Sequence, residues 1–194
     1  MIDLSKYPIF ENNKKSFKET SKDDHDGRIT YMTESQYQVI SFDDVKNEYI
    51  KGLGLTDIPS SNDALLSLPD GSLVFVEFKN GYIDRKDQHD IRKKIFDSML
   101  IFSDIVETGI SHTRTKMDYI LVYNQAKNSP ISGDAKTKVS DSEARDIIAK
   151  KLLGLGHTPY VKFGLGAFKN YCFREVYSYS TQEFEEIFLS KCAI

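Results

Sequence analysis

Three charged residues within one short stretch are placed to do chemistry together. Asn62-Asp-Ala-Leu-Leu-Ser-Leu-Pro-Asp-Gly-Ser-Leu-Val-Phe-Val-Glu-Phe-Lys-Asn80 reads as two strands joined by a tight turn. Pro69 presets φ at the first turn position, and Gly71 takes the left-handed conformation that follows. With Pro69-Asp70-Gly71 as the loop, Leu68 faces Ser72, and counting outward sets Asp63 opposite Glu77. Side chains alternate along a strand, so Lys79 shares the Glu77 face. Two carboxylates and an ammonium then converge at the open end of one hairpin. Hard divalent cations take oxygen ligands, so the set could hold one. The plain alternative is a solvated face with an ion pair. Leu73, Val74, Phe75, Val76 and Phe78 argue against it, being apolar at both parities as in a strand covered on both faces. Charges at the end of such a strand are costly unless paired or metal-bound.

On Asp63, Glu77 and Lys79, with thirteen residues between the Asp and the Glu, the chain resembles the PD-(D/E)xK nuclease superfamily, the fold of many restriction enzymes. The resemblance covers about residues 41 to 124. It implies a mixed central sheet flanked by helices, with Asp63 and Glu77 binding Mg²⁺ and Lys79 positioning or activating the attacking water. The literal Pro69-Asp70 is not the family's Pro-Asp. Only six residues separate Asp70 from Glu77, and it sits at the turn apex. Asn62-Asp63 is the counterpart, so the family's proline is missing. Members often add a glutamate on the helix before the hairpin, for which Glu48 is the candidate third metal ligand. They also carry a basic or polar residue on the following helix, aimed at the phosphate. Lys94 is that candidate, with Ser98 or Arg92 behind it. The implied partner is nucleic acid, DNA ahead of RNA, and fold-level analogy points to defence or genome maintenance.

The elements that must position these residues are legible in outline. Residues 11 to 27 are polar and read as a loop or short helix, in which His25 is a solvated histidine rather than a ligand. Arg28 to Met32 and Gln36 to Ile40 have strand composition. Ser41 opens a helix with Asp43 and Asp44 in its first turn, and Phe42, Val45, Tyr49, Ile50 and Leu53 recur at helical spacing as a core face. Asp87 or Asp90 starts the next helix, of about sixteen residues, with an apolar stripe at Ile91, Ile95, Met99, Phe102 and Ile105 or Val106. Arg85, Lys86, Arg92, Lys93 and Lys94 form the densest basic segment, which is either a nucleic-acid path or a solvated face.

Met117 to Asn124 is a strong strand, expected beside the Glu77 strand and parallel to it. Residues 125 to 140 read as an exposed loop. Ser140 and Glu143 cap a helix through Leu153, and Ser180 and Glu183 cap a last one. The aromatic stretch Tyr160 to Tyr179, with Lys162, Lys169 and Arg174 interspersed, reads as a hairpin core and edge, or as a surface for single strands.

Length and hydrophobic content suit one domain over residues 1–194, with a core at about 41–124 and a carboxy-terminal extension at 140–194. No apolar run reaches membrane-spanning length, and the first residues lack a signal-peptide layout. The two cysteines, Cys172 and Cys192, stand apart from other ligands, which fits a reducing, cytoplasmic setting. A net charge of −3 argues against strong non-specific binding of nucleic acid. No Walker loop, nucleophile elbow or His-x-x-x-His is present. The sequence therefore predicts an α/β protein that hydrolyses nucleic-acid phosphodiesters with Mg²⁺ or Mn²⁺. The rival reading is a catalytically inactive relative that serves as a protein-binding, immunity or regulatory factor.

Overall fold

A computed structural model describes residues 2–25, 27–129 and 161–192. In chain order the elements are α1 (Pro8–Glu11), β1 (Lys14–Ser16), α2 (Phe17–Thr20), β2 (Lys22–His25), β3 (Arg28–Tyr31), β4 (Gln38–Ser41), α3 (Phe42–Tyr49), β5 (Ala64–Ser67), β6 (Leu73–Lys79), α4 (Arg85–Ile105), α5 (Ile110–Lys116), β7 (Met117–Tyr123) and β8 (Val176–Ser180). The chain then runs through a turn at Thr181–Glu183, a π-helical stretch at Phe184–Leu189 and a last turn at Ser190–Cys192.

Among the described residues the protein is a mixed α/β structure whose six-stranded sheet has the order β1-β4-β5-β6-β7-β8. Strands β1, β4, β5 and β6 pair antiparallel, while β7 lies parallel to β6 and β8 parallel to β7. β2 and β3 form a separate two-stranded ribbon. Apolar residues at both parities of β6 have the expected consequence. Leu73 and Phe75 pack with α3 and α4 on one face, and Val74, Val76 and Phe78 pack with Phe17, Phe184 and Phe188 on the other. Phe75 is fully buried, edge-on to Phe42 and Phe102. Phe75→Ala should therefore cost about 3–5 kcal/mol, read as a lower urea midpoint with an unchanged m-value.

Several expectations are corrected. Residues 11 to 27 hold the expected short helix, α2, but flanked by strands β1 and β2 rather than by loop alone. The overlooked signal is the Ser16–Glu19 capping box ahead of buried Phe17. α3 stops at Tyr49, so Leu53 lies outside it and is exposed, just after Gly52 turns the chain at φ 86°. α4 is longer than expected because Asp84, with Asp87 closing the capping box, starts it early. Within 161–179 there is no hairpin; β8 crosses over to pair with β7 and extends the same sheet. The helix expected from Ser140 to Leu153, and Tyr160, lie outside the described residues. No described helix is long and apolar enough to cross a membrane.

Candidate functional site

The β5–β6 turn sets the geometry. Leu68 N–H donates to Ser72 O, and Gly71, at φ 76°, donates back to Leu68 O. The loop is thus Pro69 to Gly71, and the facing pairs are Ser67–Leu73, Leu66–Val74, Leu65–Phe75 and Ala64–Val76. The next step outward sets Asp63 against Glu77, as the turn predicts. Asp70 serves the turn itself, its Oδ1 accepting from the Ser72 amide and hydroxyl.

Asp63 and Glu77 lie at the carboxyl end of β6, just outside the β5 pairing. Asp63 Oδ2 accepts a 2.6 Å bond from the Phe78 amide, which fixes the carboxylate against the strand edge. The side chains of Asp63 and Glu77 are 13% and 1% exposed, respectively. Both converge on Lys94 of α4, whose Nζ is 2.6 Å from Glu77 Oε1 and 3.3 Å from Asp63 Oδ1. Glu77 Oε2 is buried without a partner among the described residues, as is the hydroxyl of Tyr119 on the same side of the sheet.

Burial, reinforced by the Asp63 charge, pushes the Glu77 carboxyl up from 4.5 to about 8 despite Lys94 beside it. Burial likewise raises Asp63, against the pull of Lys94 and the Phe78 amide. For Lys94, burial favours the neutral amine, but Glu77 and Asp63 together outweigh it and hold the ammonium above its usual range. One buried cation thus balances two carboxylates that resist ionising together.

Lys79 is not the ammonium at the acid pair. Its backbone has the expected parity, but Nζ turns to Asp87 Oδ1, 2.8 Å away in the first turn of α4. The capping box that starts α4 early places that carboxylate over the end of β6, within easy reach of Lys79. Glu48 is also displaced from the expected set, since its Oε2 accepts from Asn13 Nδ2. The α3 acid whose charge reaches the pair is Asp43, which raises both Asp63 and Glu77 and takes a hydrogen bond from Ser61. Its proximity follows from the Phe42 amide bonding Asp63 O. That contact brings the start of α3, not its end, beside Asp63. Ser98 is fully buried and accepts from the Asn62 amide, so it anchors the strand entering the site. Arg92 lies instead against the backbone of Gly164.

Asp63, Glu77, Lys79, Asp87 and Lys94 all line one cavity of about 920 Å³. Its far wall is the β2–β3 ribbon, held by Asn80. The Asn80 amide donates to Asp23 and Thr30 of the ribbon, while its carbonyl accepts from Asn124. A smaller cavity of about 470 Å³, beside β4 and the first residues, contains none of the candidate side chains.

No group of three or more His, Cys, Asp or Glu arranged to hold a metal occurs among the described residues. The donors that do converge are two carboxylates with one free oxygen. This matches the way Mg²⁺ is usually held, by one or two carboxylates with water and substrate phosphate completing the shell. Compared with known proteins, the chain matches no family model, no curated protein and no solved structure.

Proposed function

We propose that the protein is a metal-dependent phosphodiesterase acting on nucleic acid, with a restriction-endonuclease-like arrangement of hairpin and helix. One observation carries this reading: two nearly buried carboxylates meet at the floor of an open cavity, and Glu77 Oε2 has no partner among the described residues. Buried acceptors of a structural ion pair are ordinarily satisfied, so an open one beside a cavity is a place for a ligand. Asp63 and Glu77 would hold Mg²⁺ or Mn²⁺, and such an ion lowers the pKa of a bound water and stabilises charge on the phosphoryl oxygens. The Phe78 amide orients Asp63. Lys94 balances the charge that the acid pair carries and keeps the pair compact before a cation arrives, then offers its ammonium to a non-bridging phosphate oxygen. Lys79, steered by Asp87, stands at the cavity wall as a second cation for the substrate backbone.

The rival reading, a catalytically inactive relative that binds a protein partner, draws on the same ion triad. Lys94 already supplies the positive charge that a metal would bring. The deciding experiment incubates the purified protein with supercoiled plasmid, linear duplex, single-stranded DNA and RNA, each with Mg²⁺, Mn²⁺ or EDTA. Calorimetric titration with Mn²⁺ runs alongside. Cleavage with a divalent cation and none in EDTA supports the phosphodiesterase. No millimolar cation binding together with four intact substrates favours the binding protein.

A further inference from the structure

We infer that the strand reaching this site is single: an unpaired or frayed nucleic-acid strand enters beneath the β2–β3 ribbon and stacks a base on Tyr82. The inference rests on the phosphodiesterase reading and specifies its substrate class.

Three independent features point to it. The first is depth. Glu77 is 1% exposed at the cavity floor, so a phosphate can approach it only by entering the cavity. A volume of about 920 Å³ is at the upper end of small-ligand pockets, suited to one or two nucleotides and not to a turn of duplex. A phosphate in a stacked, paired duplex would have to leave the helix to reach that floor, at the cost of unstacking and unpairing. An unpaired strand has no such cost.

The second is the roof. Thr30 and Met32 line the cavity from the ribbon side, and Asn80 fastens the ribbon to the ends of β6 and β7 through Asp23, Thr30 and Asn124. The ribbon therefore bounds the cavity that a strand must enter to reach the acids.

The third is the rim. Lys22, Arg28 and Lys127 are exposed and line the cavity, above a floor of Asp63 and Glu77. Tyr82 belongs to the same wall and is 66% exposed. A cationic rim tracks the phosphates while an exposed ring offers a face to any base, which is the combination that binds single strands without reading sequence. The acidic net charge of −3 suits this, because local cations at the rim give affinity for an inserted strand without holding duplex along the surface.

The test uses fluorescence anisotropy with a labelled 12-nucleotide DNA, the same sequence as RNA, and the same DNA as a blunt duplex, all in Ca²⁺. The expected result is that one or both single strands bind at least about tenfold more tightly than the duplex. Tyr82→Ala should weaken single-strand binding by about five- to a hundredfold, the range of one lost stacking contact. Tyr82→Phe should keep wild-type affinity, and both variants should melt as wild type does. The DNA and RNA arms identify the sugar preferred. Duplex binding as tight as single-strand binding, or wild-type affinity in Tyr82→Ala, overturns the inference. Duplex cleavage at the single-strand rate would overturn it while leaving the phosphodiesterase standing. Failure to bind Mn²⁺ together with failure to cleave anything would remove both.

Discussion

Lys94→Met should unfold about 3–5 kcal/mol more easily than wild type at pH 8, the loss expected when one partner of a buried ion cluster is removed. The reason is local. Asp63 and Glu77 face each other across the hairpin end, and Lys94 Nζ is the cation both approach. Without it, two carboxylates share a poorly hydrated site. The loss should shrink with falling pH. Folded Glu77 titrates at about 8 against an ordinary 4.5, so between those values the folded protein holds the extra proton. Its contribution to stability is fully present below about 4.5 and is lost as pH rises to about 8. Removing the ammonium raises the folded value further, so at pH 6 the variant is rescued by protonation to a degree that pH 8 does not allow. Mn²⁺ should rescue it as well, by about 2.7 kcal/mol at a hundredfold excess over Kd. Urea unfolding at pH 6 and pH 8, with and without Mn²⁺, checks all of this. Equal stability of variant and wild type at pH 8 would show that Lys94 is not the counterion.

Glu77→Gln should have the opposite profile. The amide has nearly the volume of the acid, keeps Lys94 beside Asp63, and removes the carboxyl that burial penalises most. Stability at pH 8 should therefore be kept or raised. Cation binding and cleavage should fall on the order of 10³-fold, the loss of about 4 kcal/mol of stabilisation at the reacting phosphate. A variant that loses stability and activity in step would make Glu77 a structural residue. Loss of activity with stability intact identifies a residue held in place against its own energetic preference.

The pairing of the two acids was legible because it depends on counting alone. Once Pro69 and Gly71 fix the loop length, strand alternation leaves no freedom in what faces what. The partner cation was harder to read. Lys79 and Lys94 both have chain enough to reach Glu77, and the choice rests on where α4 begins, which Asp84 and Asp87 decide through a capping box. Asp87 takes Lys79, and Lys94 one face along the helix is left for the acids. Glu48 and Asp43 differ for a related reason. Helical spacing identifies which face a residue occupies but not which end of the helix abuts the strand. Here a single amide, from Phe42 to Asp63 O, brings the start of α3 close. The β8 crossover was illegible because it pairs Tyr123 with Ser180 across a long connection, and no local pattern announces a distant parallel neighbour.

That sheet order has a consequence for how the molecule assembles. Asp63, Glu77 and Lys94 all come from one continuous piece of chain, a hairpin closed by three residues and the helix directly after it. Their meeting involves only short loops, whose closure entropy is small, whereas β8 must return across the whole interval from Tyr123 to Val176. Local contacts form first in such a topology, and the long-range parallel edge is added late. The acids are therefore brought face to face while the chain is still largely open, when water can solvate both. Docking of α4 is the step that removes that water and installs the ammonium together. Charge neutralisation is thereby built into one local stretch of chain, since the hairpin and the helix after it supply all three groups.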